Sequence, residues 1–323
     1  MTSKKIIAVV GATGAQGGGL ARAILADSDG TYSVRALTRD PESTAAKALA
    51  ALGAEVVEAD LNDEPSLAAA FDGAHGVFVV TNYWAELTDE EEAAQSRPER
   101  ELAQAAAAAE AAKVAGVEHV VWSTFEDTRH FFGTGENKAP TVEGSYKVPH
   151  FDAKAEANAL FTERGVPTTF LLTTFYFDGF SSGQFLTREN GKLGVTLPIA
   201  DGRMSGVAAE DIGKTALGIF KRGDEFVDKS VGVAGGHLTG VEFAEALTEA
   251  LGEEVEYRPF TWDEYRAFES PVAVEVSNMF QYYAENEAEF TGARNIALVR
   301  ELNPTLQTFR DWLSNNEHSI PRD

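Results

Sequence analysis

The sequence predicts an α/β fold, a Rossmann-type doubly wound parallel sheet with a smaller, mostly helical C-terminal lobe. Three observations predict it. Short apolar runs alternate with helical stretches from residue 6 to residue 173. The first run, Ile6 to Val10, opens into glycines at Gly11, Gly14 and Gly17 and then a helical pattern at Leu20, Ala21, Ile24 and Leu25. After Thr174 the alternation gives way to clustered aromatics and then to helices.

The strand, glycine turn and helix at the N-terminus form a dinucleotide-binding pattern. The turn Gly11, Ala12, Thr13, Gly14, Ala15, Gln16, Gly17 offers backbone N–H groups and a helix N-terminus to a pyrophosphate. Missing side chains let the backbone approach the ligand and let the helix pack on the strand. The second strand is expected at Tyr32 to Thr38 and a helix at Ser43 to Leu52. The third strand, Ala54 to Ala59, precedes a helix at Glu64 to Phe71. The fourth, His75 to Val80, leads through an acidic loop, Glu86 to Glu92, into an alanine-rich helix at Glu99 to Ala115. The fifth, His119 to Thr124, is followed by a long polar loop, Glu126 to Val148, a helix at Pro149 to Arg164 and a strand at Thr168 to Thr173. Further on, a helix at Ala208 to Phe220 and a last strand at Val231 to Val233 complete the sheet region. Helices at Val241 to Leu251, Thr261 to Phe268, Ser270 to Asn286 and Thr308 to Asn315 make the lobe, the last opened by a Thr308–Asp311 capping box. The sheet domain is expected to take residues 1–174 and 205–236, and the lobe 175–204 and 237–323.

Composition narrows the function. The chain has 323 residues, 44% of them apolar, which suits a globular protein. No run reaches the ~18 apolar residues of a membrane span, and the N-terminus lacks a signal-peptide pattern, so a cytoplasmic location is expected. There is no cysteine, and the histidines show no ligand spacing, so no metal site is expected. The net charge of −24 repels a phosphate backbone and argues against direct nucleic-acid binding. An acidic protein that binds a phosphorylated cofactor must place positive charge locally.

In a parallel sheet the ligand sits at the carboxyl ends of the strands, so Gly11, Arg39, Asp60, Thr81 to Tyr83 and Ser123 should converge. Arg39 ends the second strand, where an arginine accommodates a 2′-phosphate. That favours NADP, with NAD the less favoured alternative. Asp60 serves either the adenine amino group or the N-cap of the following helix, and Leu61 beside it can pack on the ring. His150 and Lys154 are four apart on one helical face. Short-chain dehydrogenases/reductases place Tyr-x-x-x-Lys here; this chain keeps the lysine and has His150 at the tyrosine position. His150 is either a proton carrier or a helix-start histidine without chemistry. Ser123 stands where a substrate-orienting serine would end the fifth strand. The cluster Phe175 to Phe177 is either a wall for a flat substrate or core.

These motifs carry a resemblance. GATGAQGG at Gly11 to Gly18, VRALTR at Val34 to Arg39, VTNYW at Val80 to Trp84 and HFDAK at His150 to Lys154 resemble the NmrA-like family, an atypical branch of the short-chain dehydrogenases/reductases. Tyr176-Phe177, NMFQYY at Asn278 to Tyr283 and LNP at Leu302 to Pro304 extend it over almost the whole chain, closest to the NmrA-like NADPH sensors. The resemblance implies an NADP-binding Rossmann domain with a smaller lobe. It implies cofactor contacts at Gly11 to Gln16, Arg39, Asp60, Leu61, Asn82, Tyr83, Trp84, Lys154, Tyr176, Phe177, Asp178 and Gly179. Family members of the sensor type also carry histidine at the tyrosine position and are regarded as reading the cofactor ratio. Two basic residues of that pattern are absent: Glu42 or Ser43 follows the arginine, and the loop lysine is matched at about Ala94, with Arg97 nearby. Each such contact is worth ~1.5–3 kcal/mol, so their absence bears on NADPH affinity. The loop at Glu126 to Val148 is longer than the family pattern.

The sequence thus reads first as an NADP(H)-binding redox sensor or regulator with a protein partner. The alternative is an NADPH-dependent reductase of a quinone, carbonyl or related small aromatic molecule, with Lys154, His150 and Ser123 assisting. A monomer and a dimer both remain open.

Overall fold

A computed structural model describes residues 4–133 and 138–322 of the chain. Six strands alternate with helices through the first half: β1 (Lys5–Val9), β2 (Tyr32–Thr38), β3 (Glu55–Glu58), β4 (Gly76–Val79), β5 (His119–Thr124) and β6 (Thr168–Leu172). Beyond them come β7 (Phe175–Tyr176), β8 (Leu186–Glu189), β9 (Lys192–Val195) and β10 (Arg203–Val207). Next, β11 (Ser230–Gly232) returns to pair with β6. The resulting seven-stranded sheet has the order β11-β6-β5-β4-β1-β2-β3, and every pairing in it is parallel. The order reverses between β1 and β4, which opens a crevice at the carboxyl ends of those strands.

Helices cover both faces. They are α1 (Ala15–Ala26), α2 (Thr44–Ala51), α3 (Glu64–Phe71), α4 (Asp89–Ala94), α5 (Arg97–Val114), α6 (Arg129–Phe132), α7 (Pro149–Glu163) and α8 (Ala209–Lys221). On one face Leu20, Ile24, Ile212, Ala216 and Phe220 pack under β1, β4 and β5. On the other, Phe71, Ala105, Ala108, Ala112, Ala157 and Phe161 do so. Alanine on α5 suits this face, because its small side chains let the helix lie close to its neighbours. That helix starts two residues earlier than the sequence indicates, since Ser96 and Glu99 form a capping box. The acidic loop likewise contains α4, opened by a Thr88–Glu91 box.

The lobe has its own core. Phe175, Phe177, Phe180, Phe185, Phe243, Phe280, Phe309 and Trp312 are all buried there. The aromatic cluster at Phe175 to Phe177 is therefore largely core packing, with Phe175 and Phe177 in this core and Tyr176 only partly buried. Two small sheets frame it: β7 and β10 with β12 (Gly236–Thr239), and β8 and β9 with β13 (Val255–Tyr257). The sequence suggests two short strands between Gly179 and Gly202, where β8 and β9 lie; β7, β10, β12 and β13 were not legible in it. The lobe helices are α9 (Gly240–Leu251), α10 (Trp262–Arg266), α11 (Ala273–Glu285), α12 (Glu287–Gly292), α13 (Ile296–Leu302) and α14 (Phe309–Asn316). Of these, α13 leaves the lobe core: Val299 and Leu302 are buried beside α8 on the sheet.

The long loop before α7 is tied down. Asp152 is fully buried and accepts hydrogen bonds from the Thr128 amide (2.8 Å) and hydroxyl (2.7 Å) and from the amides of Lys147 (2.8 Å) and Val148 (3.0 Å). Its far side is held by α11. Asn278 donates to the carbonyls of Pro140 (2.9 Å) and Lys147 (2.7 Å), and Gln281 to that of Lys138 (3.0 Å). Residues 134–137 of this loop lie outside the described residues. No helix among the described residues is long and apolar enough to cross a membrane.

Candidate functional site

The crevice begins at the turn after β1. Gly11 has φ +65°, a left-handed conformation that favours glycine. A Cβ on Gly17 would lie 2.5 Å from the Gly11 carbonyl oxygen, so the first turn of α1 closes on the strand only with glycine there. Gly14 caps α1 without any side-chain hydrogen bond, which leaves the first N–H groups of Ala15, Gln16 and Gly17 to a ligand. Ala12 is buried under the turn, while Thr13 and Ala15 are exposed beside it.

Gln16 crosses the crevice floor. Its Oε1 accepts from the Ser123 hydroxyl at 2.8 Å, and its Nε2 donates to the Tyr176 hydroxyl at 2.5 Å. This joins the first turn of α1 to the ends of β5 and β7. Burial pushes the Tyr176 phenol up to about 12.

At the end of β4, Thr81 and Lys154 meet Glu101, which sequence reasoning missed. Lys154 Nζ donates to Glu101 Oε1 at 2.6 Å and to the Thr81 hydroxyl, and the Thr81 hydroxyl donates to the same carboxylate. All three side chains are buried. A buried lysine without a counterion is costly, and Glu101 supplies one from α5. Nothing in the sequence separates Glu101 from the exposed acids around it.

One turn before Lys154, the His150 ring sits on a second missed acid. Glu275 of α11 accepts from the His150 backbone N–H at 2.8 Å, and His150 Nδ1 lies 2.5 Å from the same oxygen. Both side chains are buried. The ring is boxed by Trp84, with centroids 5.0 Å apart, Tyr83 at 5.8 Å, Phe125 at 6.1 Å and Phe151 at 4.8 Å. A signal for Glu275 existed: it is the only charged residue between Ala273 and Ala284. Burial, and then the charges of Glu275 and Glu143, push the Tyr83 phenol far above its ordinary value.

The remaining residues divide. Arg39 is exposed at the end of β2 and forms no hydrogen bond or ion pair among the described residues. Arg97 is occupied: it donates to the carbonyls of Tyr83 (2.8 Å) and Ala85 (3.0 Å) and pairs with Glu92 (2.6 Å), pinning the loop that carries Asn82 and Trp84. Asp60 does not cap the following helix. Asp63 takes the cap position, and Asp60 Oδ1 accepts from the Asn62 amide at 2.8 Å and side chain at 2.9 Å. Leu61, half-buried, packs on the core of that face. Asp178 accepts from the Ala209 amide at 2.9 Å at the start of α8. The Phe177 ring is fully buried against Phe309 and Trp312, so only its backbone can reach the crevice; Gly179 beside it is half-buried.

The arrangement leaves the N-terminus of α1 without a side-chain cap, Arg39 without a partner among the described residues, and Lys154 and His150 on one face of α7. The sequence matches the NmrA-like family over residues 3–313. It is 28% identical over 344 aligned residues to the NmrA-like family domain-containing oxidoreductase malD of Malbranchea aurantiaca, covering 97% of this chain and 96% of that protein. The fold is similar to that of Nmra, a negative transcriptional regulator, with a TM-score of 0.75 and 23% identity over 96% of this chain and 95% of that one. It is also similar to the triphenylmethane reductase of Citrobacter sp., with a TM-score of 0.70 and 20% identity over 96% and 99%. The chain belongs to the NmrA-like family.

Proposed function

We propose that the protein binds NADP(H) across the crevice and is an NADPH-dependent reductase of a small planar carbonyl or quinone. The observation that carries the cofactor is Arg39. A guanidinium left without a partner at the end of β2, in a protein of net charge −24, suits a 2′-phosphate. The uncapped N-terminus of α1 would hold the pyrophosphate, and Lys154, kept in place by Glu101 and Thr81, would meet the ribose at the nicotinamide end. Bound NADPH would supply a hydride; Ser123, Lys154 and His150 would orient the substrate and handle its proton. Nmra has been crystallised with NAD and with NADP, and the Citrobacter reductase with NADP(H), which supports a nicotinamide dinucleotide here. Relatives along the whole chain are named oxidoreductases, which supports a reductase.

A second reading is the redox sensor. It is favoured by the histidine at position 150 and by the two crevice tyrosines, Tyr83 and Tyr176, whose phenols are both held protonated. Cofactor binding separates from chemistry in one experiment. Arg39→Ala is expected to weaken NADP(H) binding by roughly 10- to 150-fold and leave NAD(H) unchanged, as for one lost charged hydrogen bond of ~1.5–3 kcal/mol. An unmoved ratio removes Arg39 as the phosphate contact. Tight NADPH binding without oxidation over a panel of quinones and aldehydes would favour the sensor.

A further inference from the structure

We infer that His150, oriented by Glu275, is the proton donor to the substrate oxygen, and that Tyr83, Trp84 and Phe125 form the wall against which a flat carbonyl or quinone lies. The inference rests on the reductase reading. It starts from one carboxylate oxygen that receives two contacts from the same residue. Glu275 Oε1 takes the His150 backbone N–H at 2.8 Å and lies 2.5 Å from Nδ1. A carboxylate only accepts, so Nδ1 carries a hydrogen and the ring is held in one orientation. Nε2, on the opposite side of the ring, has no hydrogen-bond partner among the described residues. The ring nitrogen without a protein partner is therefore the one free to exchange a proton with a ligand.

Ser123 and Lys154 are already engaged within the protein. Ser123 donates to Gln16, and Lys154 is held by Thr81 and Glu101. The Tyr83 and Tyr176 phenols are pushed up and hold their protons. Position also fits. His150 packs on Tyr83 and Trp84, the residues that follow β4, and on Phe125, which follows β5; Lys154 reaches Thr81 on the same strand end. These are the strand ends on the far side of the switch point from Arg39, where the reacting half of a dinucleotide would lie. Trp84 is exposed, so the wall has a face for a ligand to stack on.

The proton step balances. When the carbonyl carbon gains a hydride, its π pair moves to oxygen. The Nε2–H bond of the doubly protonated imidazole breaks, an O–H bond forms on that oxygen, and His150 is left neutral with Nδ1–H on Glu275. Water returns the proton to Nε2. In this scheme His150 is catalytic and Glu275 is a positioning residue.

The test uses menadione and benzaldehyde as probes, with NADPH. His150→Phe is expected to lower kcat by roughly 10²–10⁴-fold, and Glu275→Leu by roughly 10²-fold with little change in KM. NADPH affinity, read from nicotinamide fluorescence, stays within about twofold, in line with an undisturbed cofactor half. A readout independent of turnover is the ring tautomer in the protein without cofactor. Long-range proton–nitrogen correlations should place the hydrogen of neutral His150 on Nδ1 in the wild type and on Nε2 in Glu275→Leu. An unchanged kcat in His150→Phe, or a wild-type His150 protonated on Nε2 alone, overturns the inference. NADPH binding by the wild type with neither probe reduced overturns the reductase reading itself, and the assigned proton step falls with it.

Discussion

Lys154 and His150 lie one turn apart on α7, yet they are held by different parts of the molecule. Lys154 is fixed by Thr81 and Glu101, both from the sheet half. His150 is fixed by Glu275, which arrives on α11 of the lobe. The lysine end of the crevice is therefore complete once the sheet and its helices have folded. The histidine end is complete only when the lobe is seated. The seating is built from Asn278 and Gln281 on the same helix, which hold the loop whose other side is tied by Asp152. An insertion that looks like a surface loop in the sequence is one of the joints between the two halves, beside the packing of α13 on α8.

Three perturbations probe this contrast. The largest is expected from Glu101→Ala, which leaves the buried Lys154 ammonium without its counterion. Breaking such a pair costs about 3–5 kcal/mol, read as a lower urea midpoint at unchanged slope. If the sheet half holds its lysine independently, Glu275→Ala costs less than this, and equal losses would erase the contrast.

The next effect is acid lability placed in the sheet half. His119 is buried in β5 and donates to the Thr169 hydroxyl oxygen at 2.8 Å, and burial lowers its pKa from 6.5 to about 4. Between those values the unfolded chain binds more protons than the folded one, so stability rises with pH across the window and is lost as pH falls through it. The loss amounts to about 3 kcal/mol by pH 4. Denaturation midpoints measured from pH 4 to pH 7 should show this slope, and His119→Leu should flatten it.

The smallest effect belongs to the lobe. Thr308 caps α14 in a box with Asp311, its hydroxyl accepting from the Asp311 amide at 3.2 Å. Thr308→Ala should cost about 1 kcal/mol, measured by thermal melting, with NADPH affinity unmoved. A shift in affinity would mean that the lobe core and the cofactor half are more tightly coupled than their contacts indicate.

Legibility followed the range of the interaction. Gly11 and Gly17, the strand alternation and the Thr308–Asp311 box were legible because each depends on residues a few positions apart. The strands β7, β10, β12 and β13 were missed, since each is only two to five residues long and pairs with partners distant in sequence, whereas β8 and β9, a local hairpin, were anticipated. Arg39 was legible as a strand-end arginine, but its lack of a partner was not. Arg97 was legible only as a basic residue near the place of the absent loop lysine; that it holds the carbonyls of Tyr83 and Ala85 was not.

By itself the sequence determined the doubly wound sheet, the glycine turn and the register of His150 and Lys154, because periodicity and spacing are local properties of the chain. Only the tertiary structure decided what those two residues can do. Their acids, Glu101 and Glu275, lie 53 and 125 residues away and are brought in by separate helices. A charge acquires its chemical role from the group that faces it after burial, and that group is chosen by packing.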